Sequence, residues 1–448
     1  MAPGKAAITS MNKPAKSFRK FLVLWSGQLI SAIGGGLTSF GLGIYVFQQT
    51  GMASATALVT LLAFAPSLLL SPYAGVLADR HDRRLLMIAG DGCSALGLVF
   101  ILVCMLSGEA QLWQICAGVT ISSVFSSLLE PAYKATVTDL LTGEEYTKAS
   151  GLVQLSGAAK YLISPVLAGL LLSVADIRLL LVIDICTIFV TVSTTMIVRR
   201  SLPAQKYEQS DTRSFLREFR TGWHAISRNR GVLVLVVVTS VLTFLVGFIE
   251  TLSTPMLLAF ADVAVIGTVV TIAASGMLVS SAVIASIPIK KDYVKILSGA
   301  LFFAGLFMGG FGFREHVLLV AVFGFLFFAA LPFVNAPLDV LIRTNIDPSV
   351  QGRAWSLIGL ISQLGFVASY ALSGILADFV FTPLLVDGGA LAGSVGKVIG
   401  TGNGRGIGFL IVIAGVLLCV AAILLYRLKS VKSLEHGGEL LDVSPHHP

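Results

Sequence analysis

The sequence predicts an all-α polytopic membrane protein of about twelve transmembrane helices, and three observations carry that expectation. Of its 448 residues, 55% are hydrophobic and only 12% are charged. With a mean hydropathy of +0.88, the chain is too apolar for a water-soluble globule of this length. Its apolar runs are continuous over about 20 residues rather than alternating over about 10, which selects helices over a β-barrel. The 45 glycines against 15 prolines suit helices that pack backbone to backbone, where no water drives association.

Taken in order, the apolar runs predict spans at 21–48, 54–78, 85–106, 112–138, 147–174, 178–198, 232–260, 263–288, 294–313, 316–342, 352–380 and 405–427. The first follows a basic segment (Lys5, Lys13, Lys16, Arg19, Lys20) but is longer than a signal-peptide core and lacks a cleavage site, so it is expected to remain as a span. Lysine and arginine are strongly asymmetric about these spans. One set of connecting segments carries nearly all of them, and the other only Arg178, Arg314, Lys397 and Arg405. The asymmetry predicts that both termini lie in the cytoplasm. It also accounts for the net charge of +7 by topology rather than by nucleic-acid binding.

The long polar stretch 199–231 divides the spans six and six. The predicted units are an N-terminal bundle at 1–198, the cytoplasmic linker at 199–231, a C-terminal bundle at 232–427 and a tail at 428–448. Within the linker, Phe215, Leu216, Phe219, Trp223 and Ile226 recur at helical spacing among arginines, which predicts an amphipathic helix in the inner headgroup layer. The halves echo each other in S-P-V-L-A-G-L-L at Ser164–Leu171 and S-Y-A-L-S-G-I-L at Ser369–Leu376, as two pseudo-symmetric bundles would.

Between the second and third spans lies G-V-L-A-D-R-H-D-R-R at Gly75–Arg84. Charge this dense must sit in water or at the headgroups. Gly75 permits close approach of another helix, Asp79 is suited to the positive N-terminus of a neighbouring one, and the arginines hold the loop inside. The pattern, with Gly75, Asp79, Arg80 and Arg83, resembles the gating loop of the major facilitator superfamily. Further blocks are F-L-V-L-W-S-G-Q-L-I-S at Phe21–Ser31, Y-L-I-S-P at Tyr161–Pro165, F-L-R-E-F-R-T-G at Phe215–Gly222 and Q-G-R-A-W-S-L at Gln351–Leu357. Together these resemble the bacterial macrolide-efflux branch, close to exporters of enterobactin-type siderophores.

The resemblance implies the major facilitator fold and secondary active export of a bulky amphipathic small molecule by proton antiport, without enzymatic activity or cofactor. Export of a self-made siderophore is the alternative within transport, and a transporter-like sensor or scaffold without flux is the alternative outside it. The partners implied are a small-molecule substrate, protons and the lipid bilayer, for a monomeric protein. In the resembled gating motif, Asp79 faces the start of span 11 near Gly352, with Arg83 and Asp139 completing a charge cluster. The fold also implies a cavity lined by spans 1, 4, 7 and 10, hence by Gln28, Ser31, Phe125, Phe244, Phe248, Phe328, Phe333 and Asn335. Aromatic residues with few polar groups suit a large amphipathic ligand. Relatives often carry an arginine midway along span 4, where this chain reads S-S-V-F-S-S at Ser122–Ser127.

Ionisable residues inside spans are functional candidates by default. Glu130 and Lys134 stand one turn apart on span 4 and can pair. Glu250 on span 7 and Asp184 on span 6 complete the carboxylates expected to carry protons, since span 1 has no acidic residue between Phe21 and Phe47. Glu250 is favoured because no lysine lies one turn away. Lys160 on span 5 is a weaker candidate. The five cysteines lie inside spans without C-x-x-C spacing and the histidines are scattered, so no metal site is expected. G-T-G-N-G-R-G-I-G at Gly400–Gly408 lacks the strand before it and the Lys-Ser/Thr after it that a phosphate loop needs, and is read as an external loop.

Overall fold

In the computed structural model, which describes residues 17–201, 214–287, 289 and 291–437, twelve helical segments are long and apolar enough to cross a membrane. Spans 1 to 6 run over Phe18–Thr50, Ala53–Arg80, Arg83–Leu106, Leu112–Leu140, Gly143–Val174 and Ile177–Arg200. Spans 7 to 12 run over Arg230–Leu258, Val263–Ser286, Tyr293–Phe313, Val317–Thr344, Gln351–Leu385 and Arg405–Arg427. Every predicted span is present, with ends shifted by a few residues where capping groups set them.

Span 3 starts at Asp82, whose carboxylate accepts from Arg84 N at 3.1 Å and Leu85 N at 3.4 Å, satisfying amides that have no partner in the first turn. Asp176 does the same for span 6 through Arg178 N at 3.0 Å, and Asn229 for span 7 through Gly231 N at 2.9 Å. Three spans are irregular. Span 4 breaks between Ser126 and Leu129, and span 5 breaks at Ile163, just before Pro165, which has no N–H to continue the ladder. Span 11 passes through a π-helical turn at Ala377–Phe381 before resuming at Thr382–Leu385.

Spans 1 to 6 pack among themselves, as do spans 7 to 12, and each set has its own buried apolar core. The two bundles meet through span 2 against span 11 and span 5 against span 8. The start of span 1, the linker and the end of span 12 share one face, here the linker face, and the opposite side is the far face. A helix at Ser214–Arg228 precedes span 7. It is docked on protein, not only laid in headgroups as its amphipathic pattern suggests. A Cβ on Gly222 would stand 2.9 Å from the Arg353 carbonyl oxygen, and Ile226 is fully buried in the second bundle's core. The segment expected as a plain tail begins with a further helix, Lys429–Gly437, tied to span 9 by Val294 N donating to Glu435 Oε1 at 2.7 Å. Asn345 Nδ2 also donates to the Leu434 carbonyl at 3.1 Å.

Candidate functional site at the bundle interface

The two bundles are sealed together over the far half of their interface and parted over the linker half. On the far side, Asp378 reaches from span 11 to the start of span 2. Its carboxylate accepts from Ala53 N at 3.1 Å and Ser54 N at 2.7 Å. Met52, the residue before that helix, offers no side-chain bond of its own, so the cap of one bundle's helix is supplied by the other bundle. Asp378 lies within the π turn of span 11, a distortion that turns a side chain out of the regular helical register.

Beside this cap, Gly374 packs against the Ser54 backbone, and across the interface Gly267 of span 8 packs against the Pro165 carbonyl of span 5. Thr271 Oγ1 donates to the Leu162 carbonyl at 2.9 Å in the same seam. Toward the linker face the seam ends. No described atom of another helix lies within 4 Å of a Cβ placed on Gly151 or Gly157 of span 5, Gly75 of span 2, or Gly352 or Gly359 of span 11. Tyr73 of span 2 and Val279 of span 8 are largely exposed there.

Just under the seal sits a polar and aromatic cluster drawn from both bundles. Tyr370 of span 11, itself buried, donates its hydroxyl to Glu250 Oε2 at 2.7 Å, while the Glu250 side chain is exposed between the bundles. Phe64 of span 2 meets Tyr370 edge-on at 5.6 Å between ring centroids and Phe366 at 6.2 Å. Phe366 and Tyr370 lie 5.9 Å apart. Tyr161 of span 5 is close enough to Glu250 for its charge to act on the phenol, and carries Lys160 Nζ at 5.7 Å from its ring.

The other predicted residues fall in different places. Glu130 and Lys134 form the predicted pair, at 2.6 Å, with both side chains about three-quarters exposed, so Glu130 is offset by its neighbour and stands apart from the cluster. Asp184 is buried against span 1, beside Gly34 and with Thr187 Oγ1 at 3.4 Å from its carboxylate, within range of the Lys160 charge. Gln28, Ser31, Phe125, Phe244, Phe328 and Phe333 are half-buried. Phe248 differs from expectation. It is 3% exposed, stacked edge-on with Phe244 at 5.1 Å in the second bundle's core, and does not open to the interface. Asn335 is exposed in a groove of about 280 Å³ between spans 8 and 10, shared with Met277, Ser281, Ile284, Pro332 and Ala336.

Asp91 of span 3 escaped the sequence list, although the rule that selects intramembrane carboxylates applies to it directly. It is buried facing Gln28 of span 1, and its Oδ2 has no hydrogen-bond partner among the described residues.

At the linker face the Gly75–Arg84 loop forms a charge cluster. Arg83 Nη1 lies 2.8 Å from Asp139 Oδ1, Arg83 Nη2 lies 3.9 Å from Asp79, and buried Arg84 stands 4.0 Å from Asp139. Asp82 adds an ion pair with Arg199 Nε at 2.8 Å. Burial alone would raise the Asp82 carboxyl, but the Arg199 hydrogen bond and the two capped amides outweigh it and hold the group below its ordinary value. Asp79 and Arg80 are exposed, and the start of span 11 has no side-chain cap.

Two six-helix bundles that share a polar cluster at their interface, sealed on one side of it and parted on the other, define a membrane transporter rather than an enzyme. The Major Facilitator Superfamily model matches residues 24–370, and the chain belongs to that family. It is similar to a protein named macrolide efflux protein A from Streptococcus pyogenes, 27% identical over 80% of this chain and 89% of that one. A protein of the same name from Enterococcus faecalis is 28% identical over 70% of this chain and 98% of that one. A lysophospholipid transporter of Cronobacter sakazakii is 24% identical over 46% of this chain and 51% of its own. Among solved structures, the nucleoside transporter NupG superposes with a TM-score of 0.73 at 12% identity over 92% of this chain and all of that one. A bacterial homologue of the iron transporter ferroportin superposes at 0.68 and 14% identity over the same shares. At these identities the structural likenesses speak for the fold alone.

Proposed function

We propose that the chain is a secondary active exporter that moves a bulky amphipathic compound, of the macrolide-like kind named for its relatives, out of a bacterial cell in exchange for protons. The observation that carries this reading is Glu250, a carboxylate held between the bundles directly beneath a sealed far face. The basic linker face is cytoplasmic on the positive-inside rule, so the conformation described is open inward and ready to load. Substrate enters from the cytoplasm, the linker half closes, the far seal parts, and the compound leaves outward. A proton arriving from the far side neutralises Glu250, and its loss to the cytoplasm after the return completes the cycle. Tyr370 orients the carboxylate throughout the loading state. In proteoliposomes with an imposed pH gradient, wild type should accumulate a macrolide against its concentration gradient. Glu250→Gln should lose the pH-driven component while retaining counterflow of an uncharged amphiphile. Full pH-driven accumulation by the variant overturns the role of Glu250.

A further inference from the structure

We infer that the cavity between the linker helix, the start of span 7 and the loop joining spans 10 and 11 is a binding site for a phosphate anion, and that its occupant is the headgroup of an acidic phospholipid of the linker-face leaflet. The inference goes beyond the export reading and needs neither its direction nor its coupling.

The cavity encloses about 570 Å³, room for a phosphate together with its glycerol. One wall is the helix Ser214–Arg228, on which Thr221, His224, Ala225 and Arg228 follow the i, i+3, i+4, i+7 spacing of a single stripe. Gly222 and Ile226, buried against the second bundle, fix the rotation of that helix. His224 and Arg228 are thereby left exposed on the cavity side. The helix then breaks at Asn229, and span 7 begins at Arg230. Asn229 Oδ1 accepts from Gly231 N at 2.9 Å, and the break brings Arg228 and Arg230 to the same cavity.

The opposite wall is held in place by its own hydrogen bonds. Gln351 Nε2 donates to the carbonyls of Arg343 at 2.7 Å and Ile346 at 3.1 Å. Asp347 Oδ1 accepts from Ser349 N at 2.8 Å and from Ser349 Oγ at 2.7 Å, which commits that carboxylate to its own turn. Arg228 and Arg230 are exposed and have no carboxylate partner among the described residues, whereas Arg83, Arg199, Arg343 and Arg405 each have one. Two guanidinium groups against one engaged carboxylate leave the cavity cationic, and the guanidinium fork matches the oxygens of a phosphate.

Position selects the source of that phosphate. Span 7 starts at Arg230, span 10 ends at Thr344 and span 11 starts at Gln351, so the cavity lies where three spans leave the hydrocarbon, at headgroup depth. Trp223, exposed on the same helix, is a residue type that settles in that layer. Basic pockets at this depth take acidic lipid headgroups.

The test is native mass spectrometry of the purified full-length protein in detergent, titrated with phosphatidylglycerol, phosphatidylcholine and inorganic phosphate. Wild type should bind phosphatidylglycerol about tenfold more tightly than phosphatidylcholine. Arg228→Gln and Arg230→Gln should each weaken phosphatidylglycerol about fivefold, while Arg228→Lys, which keeps the charge, should lose less. Arg200→Gln removes a cation from the same face but from the first bundle, and should leave the affinity unchanged. An unaltered melting temperature without added lipid shows that each variant is folded. Equal weakening in Arg200→Gln, or no weakening in either glutamine variant of the cavity, overturns the site. Displacement of phosphatidylglycerol by inorganic phosphate at equal concentration keeps the phosphate site and overturns the lipid as its occupant.

Discussion

Asp378 is the residue whose removal should most directly change which side of this transporter is open. Its carboxylate accepts from the first two amides of span 2, at 3.1 and 2.7 Å, across the interface between bundles. Those amides carry the positive end of the span 2 dipole, and their own flanking residue leaves them uncapped. A carboxylate at a helix N-terminus contributes about 0.3 to 1 kcal/mol when exposed and up to about 2 kcal/mol when partly buried, and Asp378 is half-buried. The bonds exist only while the far half is sealed, so the whole contribution bears on the conformational equilibrium. Losing about 1 to 2 kcal/mol moves that equilibrium about 5- to 30-fold toward the far-face-open form. Asp378→Asn keeps one acceptor oxygen and should produce the smaller shift, and Asp378→Ala the larger. Double electron–electron resonance between spin labels at exposed Ser107 and Asp387, in a background lacking the five free cysteines, should show a longer-distance population growing in that order. Unchanged distance distributions in both variants, with the label pair responding to ligand in wild type, would refute the reasoning.

Three further expectations follow from particular contacts. Asp79→Asn should act in the opposite sense to Asp378→Asn, enriching the linker-face-open form by a few-fold, read by labels across the linker-face mouth; a shift toward the far-face-open form removes Asp79 from the latch. Gly374→Val places a side chain against the Ser54 backbone and should block the far seal, so transport is lost while expression and thermal stability of the purified protein stay close to wild type. Asp82 has a folded-state pKa below its ordinary 3.8, so its contribution to stability is fully present above that value and is lost as pH falls through the lower, folded one. Asp82→Asn should therefore lower the melting temperature at pH 7, with the deficit shrinking only below about pH 4; a deficit independent of pH assigns the loss to packing instead of charge.

The twelve spans were legible because apolar length is a local property that the bilayer enforces, and the loop at Gly75–Arg84 because charge density is equally local. What escaped the sequence is relational. Phe248 and Phe244 share span 7 and similar neighbours in sequence, yet one is packed in the core and the other half-open, a difference set by a few tens of degrees of helix rotation. The linker's amphipathic pattern announced a helix, but an apolar stripe fits a headgroup layer and a protein surface alike, so the burial of Ile226 beside span 11 had no separate signal. Glu250 was found by the cost of a charge in hydrocarbon. Tyr370 and Phe64 were not, since an aromatic ring in an apolar helix meets lipid or core more often than a ligand. Asp91 carries the same local signal, a carboxylate inside an apolar span. Asp378 stands 324 positions from the amide it holds, and no window of sequence joins the two.

The placement of Asp79 and Asp378 suggests why one pair of helices can serve both gates. Spans 2 and 11 run antiparallel, the first ending at the linker face in Asp79 and Arg80, the second approaching the far face at Asp378. Each helix thus carries a carboxylate near its own C-terminal end, where its own dipole disfavours negative charge, and opposite its partner's N-terminal end, where the partner's dipole favours it. With the far half sealed, Asp378 is satisfied and Asp79 is exposed, while the span 11 N-terminus is uncapped. On the latch proposed for Asp79, closing the linker half exchanges one cap for the other of the same chemistry. The two states then differ by the small difference between two similar terms of about 1 to 2 kcal/mol, so neither is locked. On the exchange proposed for Glu250, a differential affinity of ten- to a hundredfold, about 1.4 to 2.8 kcal/mol, is then enough for ligand and proton to decide which side opens.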